Sequence, residues 1–353
     1  MPDIAAIYWE GGPDGRLVIL DQTRLPFSEI YLDIHDLSEA EQAIRSLQVR
    51  GAPLLGLFSC YALALAIRNV SENCGLSGVI ADAVNRLKAV RPTAVNVFGD
   101  LDEMAARLQP HEYASPTECA AAALAACEVL REHYESASLS IARNGFALVE
   151  DGGTYITHCN TGSLAAPGLG TALGILKYAH RMGKRFEVLV CESRPLLQGS
   201  RLTAFELERE GMSFRLLCDS AMSSAYSRLG ITAALTGADR IAANGDTANK
   251  IGTQNHAILC SQFHVPLYVA APVRTIDLRC KCGTHIIIEQ RSGSEVTSIG
   301  STQIAPRNAR TYNPAFDITP ANMIAGIITE KGLLAPPFPE GLATACRVVS
   351  PLA

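Results

Sequence analysis

Apolar positions recur along the chain at two different spacings, and the change from one to the other divides the sequence in two. Between residues 4 and 20, Arg16-Leu17-Val18-Ile19-Leu20 and the preceding apolar residues flank the turn cluster Gly11-Gly12-Pro13-Asp14-Gly15, which predicts a β-hairpin. From Ser38 onward the spacing is helical. Ser38-x-x-Glu41 reads as a capping box ahead of an apolar stripe at Ala43, Ile44 and Leu47. Gly51 to Ile67 is a 17-residue run without charge, bounded by Arg50 and Arg68, and predicts a buried helix. Ser115-Pro116-Thr117-Glu118 starts an alanine-rich helix running toward Tyr134, with proline at its first position.

After Asp151-Gly152-Gly153 short apolar or β-branched runs alternate with helical segments. The predicted strands are Thr154 to His158, Phe186 to Cys191, Phe214 to Leu217, Ile231 to Leu235 and Pro266 to Ala270. Runs such as Val188-Leu189-Val190 lack polar alternation, as strands buried on both faces do, and the rhythm is that of βαβ units around a parallel sheet. The fold class is therefore α/β. A mainly helical N-terminal domain with its short hairpin is expected over residues 1–147, and an α/β domain with a parallel sheet flanked by helices over 148–353. No linker-like tract separates them, so they are expected to pack closely with a site between them.

Composition narrows the functional classes. Of 353 residues 48% are hydrophobic and 18% charged, a balance that favours a folded core over disorder. The net charge of −5 provides no basic field for nucleic acid or an anionic membrane. Any anionic ligand must then be held by local cations. The uncharged run reaches only the lower edge of a membrane span, and Asp3 and Glu10 sit where a signal peptide would be basic and then apolar; the expected compartment is the cytoplasm. The eleven cysteines, including Cys60, Cys127, Cys191, Cys218 and Cys260, read as buried free thiols. Cys280-x-Cys282 with His285 is only half of a zinc pattern, and no metal is expected there.

Three segments carry candidate chemistry. Thr157-His158-Cys159-Asn160-Thr161-Gly162 follows the first strand of the second half, at the strand end where α/β sheets bind ligands. Asp239, after the strand Ile231 to Leu235, lies among small and apolar residues; burial would raise its pKa and let it hold a proton, while pairing with Arg240 is the competing structural role. Gly245 to Thr253 reads as a loop leading into a helix, with Asn249 and Lys250 placed to hold phosphate. Arg50-Gly51-Ala52-Pro53 and Arg91-Pro92-Thr93 have the same form, a cation beside a helix start or turn. Gly168-x-Gly170-x-x-x-Gly174 suggests a dinucleotide fingerprint, but nine residues intervene after His158 and the glycines are assigned to helix packing.

Taken in order, Val49-Arg50-Gly51-Ala52-Pro53, Arg91-Pro92-Thr93-Ala94-Val95-Asn96, the segment Thr157 to Gly162, Glu192-Ser193-Arg194-Pro195 with Gln198-Gly199, Gly237-Ala238-Asp239-Arg240, Asn249-Lys250-Ile251-Gly252-Thr253 and Asn313-Pro314-Ala315-Phe316-Asp317 resemble the methylthioribose-1-phosphate isomerase family. That family lies within the superfamily of the translation initiation factor 2B regulatory subunits. The likeness runs from Leu20 to Gly332. It implies a Rossmann-like second domain, a homodimer, a cleft site without cofactor or metal, and conversion of an aldose 1-phosphate to a ketose 1-phosphate in methionine salvage. By motif, Asp239 would be the proton donor and Cys159 the second catalytic residue. Arg50, Gly51, Ala52, Arg91, Gln198, Asn249 and Lys250 would bind substrate. Val90 before Arg91, the Cys280/Cys282 pair and the variant stretch His285 to Arg291 depart from the family pattern, and 5-deoxyribose 1-phosphate or ribose 1,5-bisphosphate remain alternative substrates. A non-catalytic regulatory subunit is the alternative of a different class.

Overall fold

The computed structural model describes residues 4–70, 75–91, 93–109, 113–347 and 351–352; Pro92 of the Arg91 motif lies outside them. The predicted hairpin is present as β1 (Ile7–Glu10) and β2 (Arg16–Leu20), and β3 (Tyr31–Ile34) extends it to an antiparallel three-stranded sheet. Helix α1 (Leu37–Arg45) starts two residues earlier than the Ser38 box implies: Asp36 is the cap, its carboxylate accepting the Glu39 N–H at 2.9 Å. The earlier start buries Leu37. The uncharged run forms α2 (Ala52–Arg68), buried at every position but Ala66 and Arg68. Around it pack α3 (Leu76–Val90), α4 (Val95–Arg107) and α5 (Pro116–Gly145). Ser115 caps α5 by accepting the Glu118 N–H at 3.2 Å, and the helix runs eleven residues past Tyr134.

The second half alternates as the sequence predicts: β4 (Thr154–Thr157), α6 (Ala172–Arg181), β5 (Glu187–Cys191), α7 (Ala204–Arg209), β6 (Phe214–Leu217), α8 (Met222–Arg228) and β7 (Ala233–Thr236). There follow β8 (Arg240–Ala242), β9 (Thr247–Lys250), α9 (Thr253–Phe263), β10 (Leu267–Ala270) and β11 (Ile276–Asp277). A polar excursion holds α10 (Ser294–Thr297), β12 (Ser298–Ile299) and β13 (Thr302–Gln303). The chain closes with β14 (Phe316–Thr319), β15 (Gly326–Thr329), β16 (Gly332–Leu334) and α11 (Phe338–Ala345). The seven-stranded sheet has the order β16-β15-β10-β7-β4-β5-β6, parallel except for β16.

This order places the site. From β4 the chain winds one way to β5 and β6, then returns to β7 on the other side of β4 and winds outward to β10 and β15. Loops leaving β4 and β7 therefore diverge, and the crevice between them is where an open α/β sheet takes its ligand. A second sheet, β11-β8-β9-β14, was not foreseen. It corrects the reading of residues 245–253: Thr247 to Lys250 is a strand and not a loop, and α9 begins at Thr253. Cys218 is exposed beyond the edge strand β6 and not buried. Gly168 and Gly170 take positive φ in the turn before α6, so backbone geometry, beyond helix packing, requires them.

The two halves share packing. Leu164 and Leu202 belong to the helical core, while Ile141 of α5 belongs to the core on one face of the large sheet. Arg274, after β10, donates to Asp100 Oδ1 at 2.7 Å and to Glu103 Oε2 at 2.6 Å, both on α4. Among the described residues no helix is long and apolar enough to cross a membrane.

Candidate active site

One cavity is lined by all nine residues singled out in the sequence: Arg50, Gly51, Ala52, Arg91, Cys159, Gln198, Asp239, Asn249 and Lys250. The helical half brings Arg50 to Ala52 at the start of α2 and Arg91 at the end of α3. Cys159 comes two residues after β4, Asp239 three after β7, and Asn249 and Lys250 end β9. Gly51 explains the close approach of α2. Its φ is +96°, and a Cβ there would lie 2.3 Å from the Ala165 carbonyl oxygen. Only glycine lets the helix start press against that loop.

Three cations surround the cavity with almost no exposed surface, at 3% for Arg50, 7% for Arg91 and 4% for Lys250. Arg50 donates to the Asn160 carbonyl from both terminal nitrogens, at 3.2 and 3.1 Å, and to Asn160 Oδ1 at 2.8 Å. Its Nε is buried and, among the described residues, has no partner. A buried donor without an acceptor is costly unless a ligand supplies one. Arg91 meets Glu289 Oε1 at 3.2 Å. Lys250 Nζ donates to the Ala315 carbonyl at 3.0 Å and sits 4.7 Å above the Phe316 ring. Burial lowers the pKa of Arg91 and of Lys250, so an anion that restores charge balance binds favourably there.

Asp239 keeps part of its surface, yet the protein around it pushes its carboxyl above the ordinary range. Desolvation is the larger effect and outweighs the attraction of Lys250, Arg91 and Arg50. Arg240, the competing partner, instead points to Asp277, at 3.8 Å. Cys159 has φ +63°, a strained conformation for a non-glycine residue. Its N–H is held by Ser193 Oγ at 2.7 Å, its carbonyl by Thr203 Oγ1 at 2.6 Å, and its Sγ faces Gln198 Oε1 at 3.4 Å. The strain is held from three sides.

Sequence reasoning did not single out Phe316, Asn160 or Glu289, although each lies inside a quoted segment. Asp317 of the same Asn313–Asp317 motif takes the N–H groups of Gly252 and Gln254 at 2.7 and 3.1 Å, capping α9, and burial raises its pKa to about 6. Cys282 Sγ lies 3.8 Å from His285 Nδ1, while Cys280 Sγ turns to the Cys282 carbonyl at 3.4 Å. Among the described residues the side chains grouped closely enough for a metal are instead His158, Cys191 and His256, within 4.8 Å of one another. Burial holds both imidazoles neutral and pushes the Cys191 thiol up, as in an uncharged polar cluster beneath the β4 loop.

The Initiation factor 2 subunit family matches residues 48–336. The chain belongs to that family. It is 44% identical over 97% of its length to "Methylthioribose-1-phosphate isomerase 2" of Pseudothermotoga lettingae, covering 98% of that protein. It is 42% identical to the methylthioribose-1-phosphate isomerase of Pelotomaculum thermopropionicum over 95% of the chain and 92% of that protein. Among solved structures, 5-methylthioribose 1-phosphate isomerase from Pyrococcus horikoshii superposes with a TM-score of 0.86 at 33% identity, covering 98% of this chain and 96% of the other. The translation initiation factor eIF-2B subunit delta from A. fulgidus gives 0.83 at 34% identity, covering 98% of this chain and all of that one.

Proposed function

We propose that the protein is an aldose–ketose isomerase that converts 5-methylthioribose 1-phosphate to 5-methylthioribulose 1-phosphate in methionine salvage. The observation that carries this reading is the convergence of Asp239, Cys159 and three buried cations on one cavity, in a chain whose relatives are isomerases of this class. In the substrate the anomeric oxygen carries phosphate, so the ring cannot open as a free hemiacetal does. The C1–O4 bond must break as the ring oxygen takes a proton, and Asp239 supplies it. Hydrogen then passes from C2 to C1, as hydride or by proton transfer through an enediol, and the C2 hydroxyl returns a proton to the Asp239 carboxylate as the ketone forms, which restores the acid. A carboxyl that stays protonated above the ordinary range suits the first step. Cys159, held on its strained loop, faces the charge that develops on the reacting carbons.

Arg50, Arg91 and Lys250 hold the phosphate, with Gly51, Ala52, Gln198 and Asn249 shaping the rest of the pocket. Fixing the carbon skeleton matters, since misplacement by about 1 Å can cost on the order of 10²-fold in rate. The reading also includes two domains at 1–147 and 148–353, a homodimer and a cytoplasmic location.

Purified protein is to be incubated with methylthioribose 1-phosphate, 5-deoxyribose 1-phosphate and ribose 1,5-bisphosphate, and ketose formation followed. The methylthio sugar is expected to have the highest kcat/KM. Absence of ketose from all three overturns the isomerase reading. Preference for the bisphosphate overturns the substrate. The likeness to the eIF-2B delta subunit favours a regulatory role, which gains support if the protein copurifies with an exchange factor and has no isomerase activity. Such a subunit has no use for a strained cysteine and a desolvated aspartate lining one cavity.

A further inference from the structure

Glu206 on α7 is a buried charge that the reaction as described does not use. It is 1% exposed and does not line the cavity. Its two oxygens meet four donors. Oε1 accepts from Asn160 Nδ2 at 2.8 Å and Leu164 N at 3.4 Å, while Oε2 accepts from Ser163 N at 2.8 Å and Lys177 Nζ at 3.4 Å. The Cys159 loop presses onto this carboxylate: a Cβ on Gly162 would lie 2.2 Å from Glu206 Oε2. A buried ion pair adds little stability over well-packed apolar residues, so its presence calls for another explanation.

We propose that Glu206 is a positioning residue that orients the Asn160 amide and, through it, the Arg50 guanidinium at the phosphate end of the cavity. A carboxylate only accepts hydrogen bonds, so only the amide nitrogen of Asn160 can face Glu206. The amide oxygen must then point the other way, where Arg50 donates to it at 2.8 Å. With three of its five N–H groups committed to Asn160, Arg50 keeps the unpartnered Nε, one N–H of Nη1 and its charge for a ligand. The sequence of contacts from Lys177 through Glu206 and Asn160 to Arg50 thus fixes an anion-binding group from inside the protein, beyond the reach of substrate. Replacing Glu206 by glutamine keeps the shape but turns one acceptor into a donor facing donors. The Asn160 amide is then free to flip, and Arg50 loses its fixed side-chain acceptor while keeping the Asn160 carbonyl.

This inference rests on the isomerase reading for its kinetic arm and on phosphate binding alone for the other. KM and kcat for methylthioribose 1-phosphate, and calorimetric affinity for inorganic phosphate, are to be measured for the wild type, Glu206→Gln, Arg50→Lys and the double variant, with thermal unfolding to confirm folding. Glu206→Gln is expected to raise KM and weaken phosphate binding by roughly 10- to 100-fold, the effect of losing a charge-assisted hydrogen bond, with a smaller change in kcat. The double variant should fall within about 2-fold of the weaker single variant, because both act through one contact. Should Glu206→Gln not fold, Asn160→Ala carries the same prediction, since it leaves Glu206 its backbone donors and Lys177. Folded variants with unchanged phosphate affinity, or losses that multiply in the double variant, overturn the proposal. If no ketose forms at all, the phosphate arm still decides on Glu206 while the isomerase reading falls separately.

Discussion

Asp239 is the residue on which acid catalysis depends, and its surroundings set a pH dependence of definite sign. Burial raises its folded-state pKa above that of the unfolded chain. Its proton is therefore held fully below the ordinary carboxyl value and lost as pH rises through the raised folded value, and any stability linked to that proton disappears in the same window. Activity should follow the acid form. kcat/KM is expected to fall on the alkaline side with a limb that begins above the ordinary carboxyl range, and a pH–rate profile measures it. An alkaline limb absent from the whole range in which the protein is folded would remove Asp239 as the acid. Bound phosphate adds negative charge nearby, which moves the same pKa further upward in the complex.

At the scale of elements, the start of α2 decides whether the cavity closes. Gly51→Ala places a methyl group into the Ala165 backbone and strains a residue at φ +96°. The helix start must then move away from the β4 loop. Loss of roughly 1–3 kcal/mol of stability is expected, read as a lower unfolding midpoint, together with weaker phosphate binding from the displaced Arg50. Wild-type values for both would contradict the account of that contact. The buried helix and the main parallel strands were legible because each is a long unbroken signal: a charge-free run for α2, apolar runs for β4, β5 and β7. The second sheet was not. Its strand Thr247-Ala248-Asn249-Lys250 carries two polar site residues; it forms a hairpin with the three-residue β8, and its other partner, β14, lies more than sixty residues further along the chain. Helix α1 illustrates a smaller miss, since Asp36 and Ser38 are both good caps and only the burial of Leu37 separates them.

Over the whole molecule, low charge and a large apolar fraction allow a site this dry. The cations of the cavity come from both halves, and Arg274 joins α4 to the segment after β10. Motif residues could be named from the sequence because they stand in a fixed order. What the motifs could not show is the support behind them, such as Glu206 and Asp317, whose partners lie 46 and 65 positions away. The central claim is that Asp239 and Cys159 perform one isomerisation in this shared cavity. It is tested most directly by turnover of methylthioribose 1-phosphate at saturating concentration in Cys159→Ala and Asp239→Asn, with substrate affinity measured in parallel. The account predicts that each variant loses at least about 10²-fold in kcat, as expected for removing an acid or a transition-state contact, while affinity changes little. Weakened binding with wild-type kcat in either variant would contradict it.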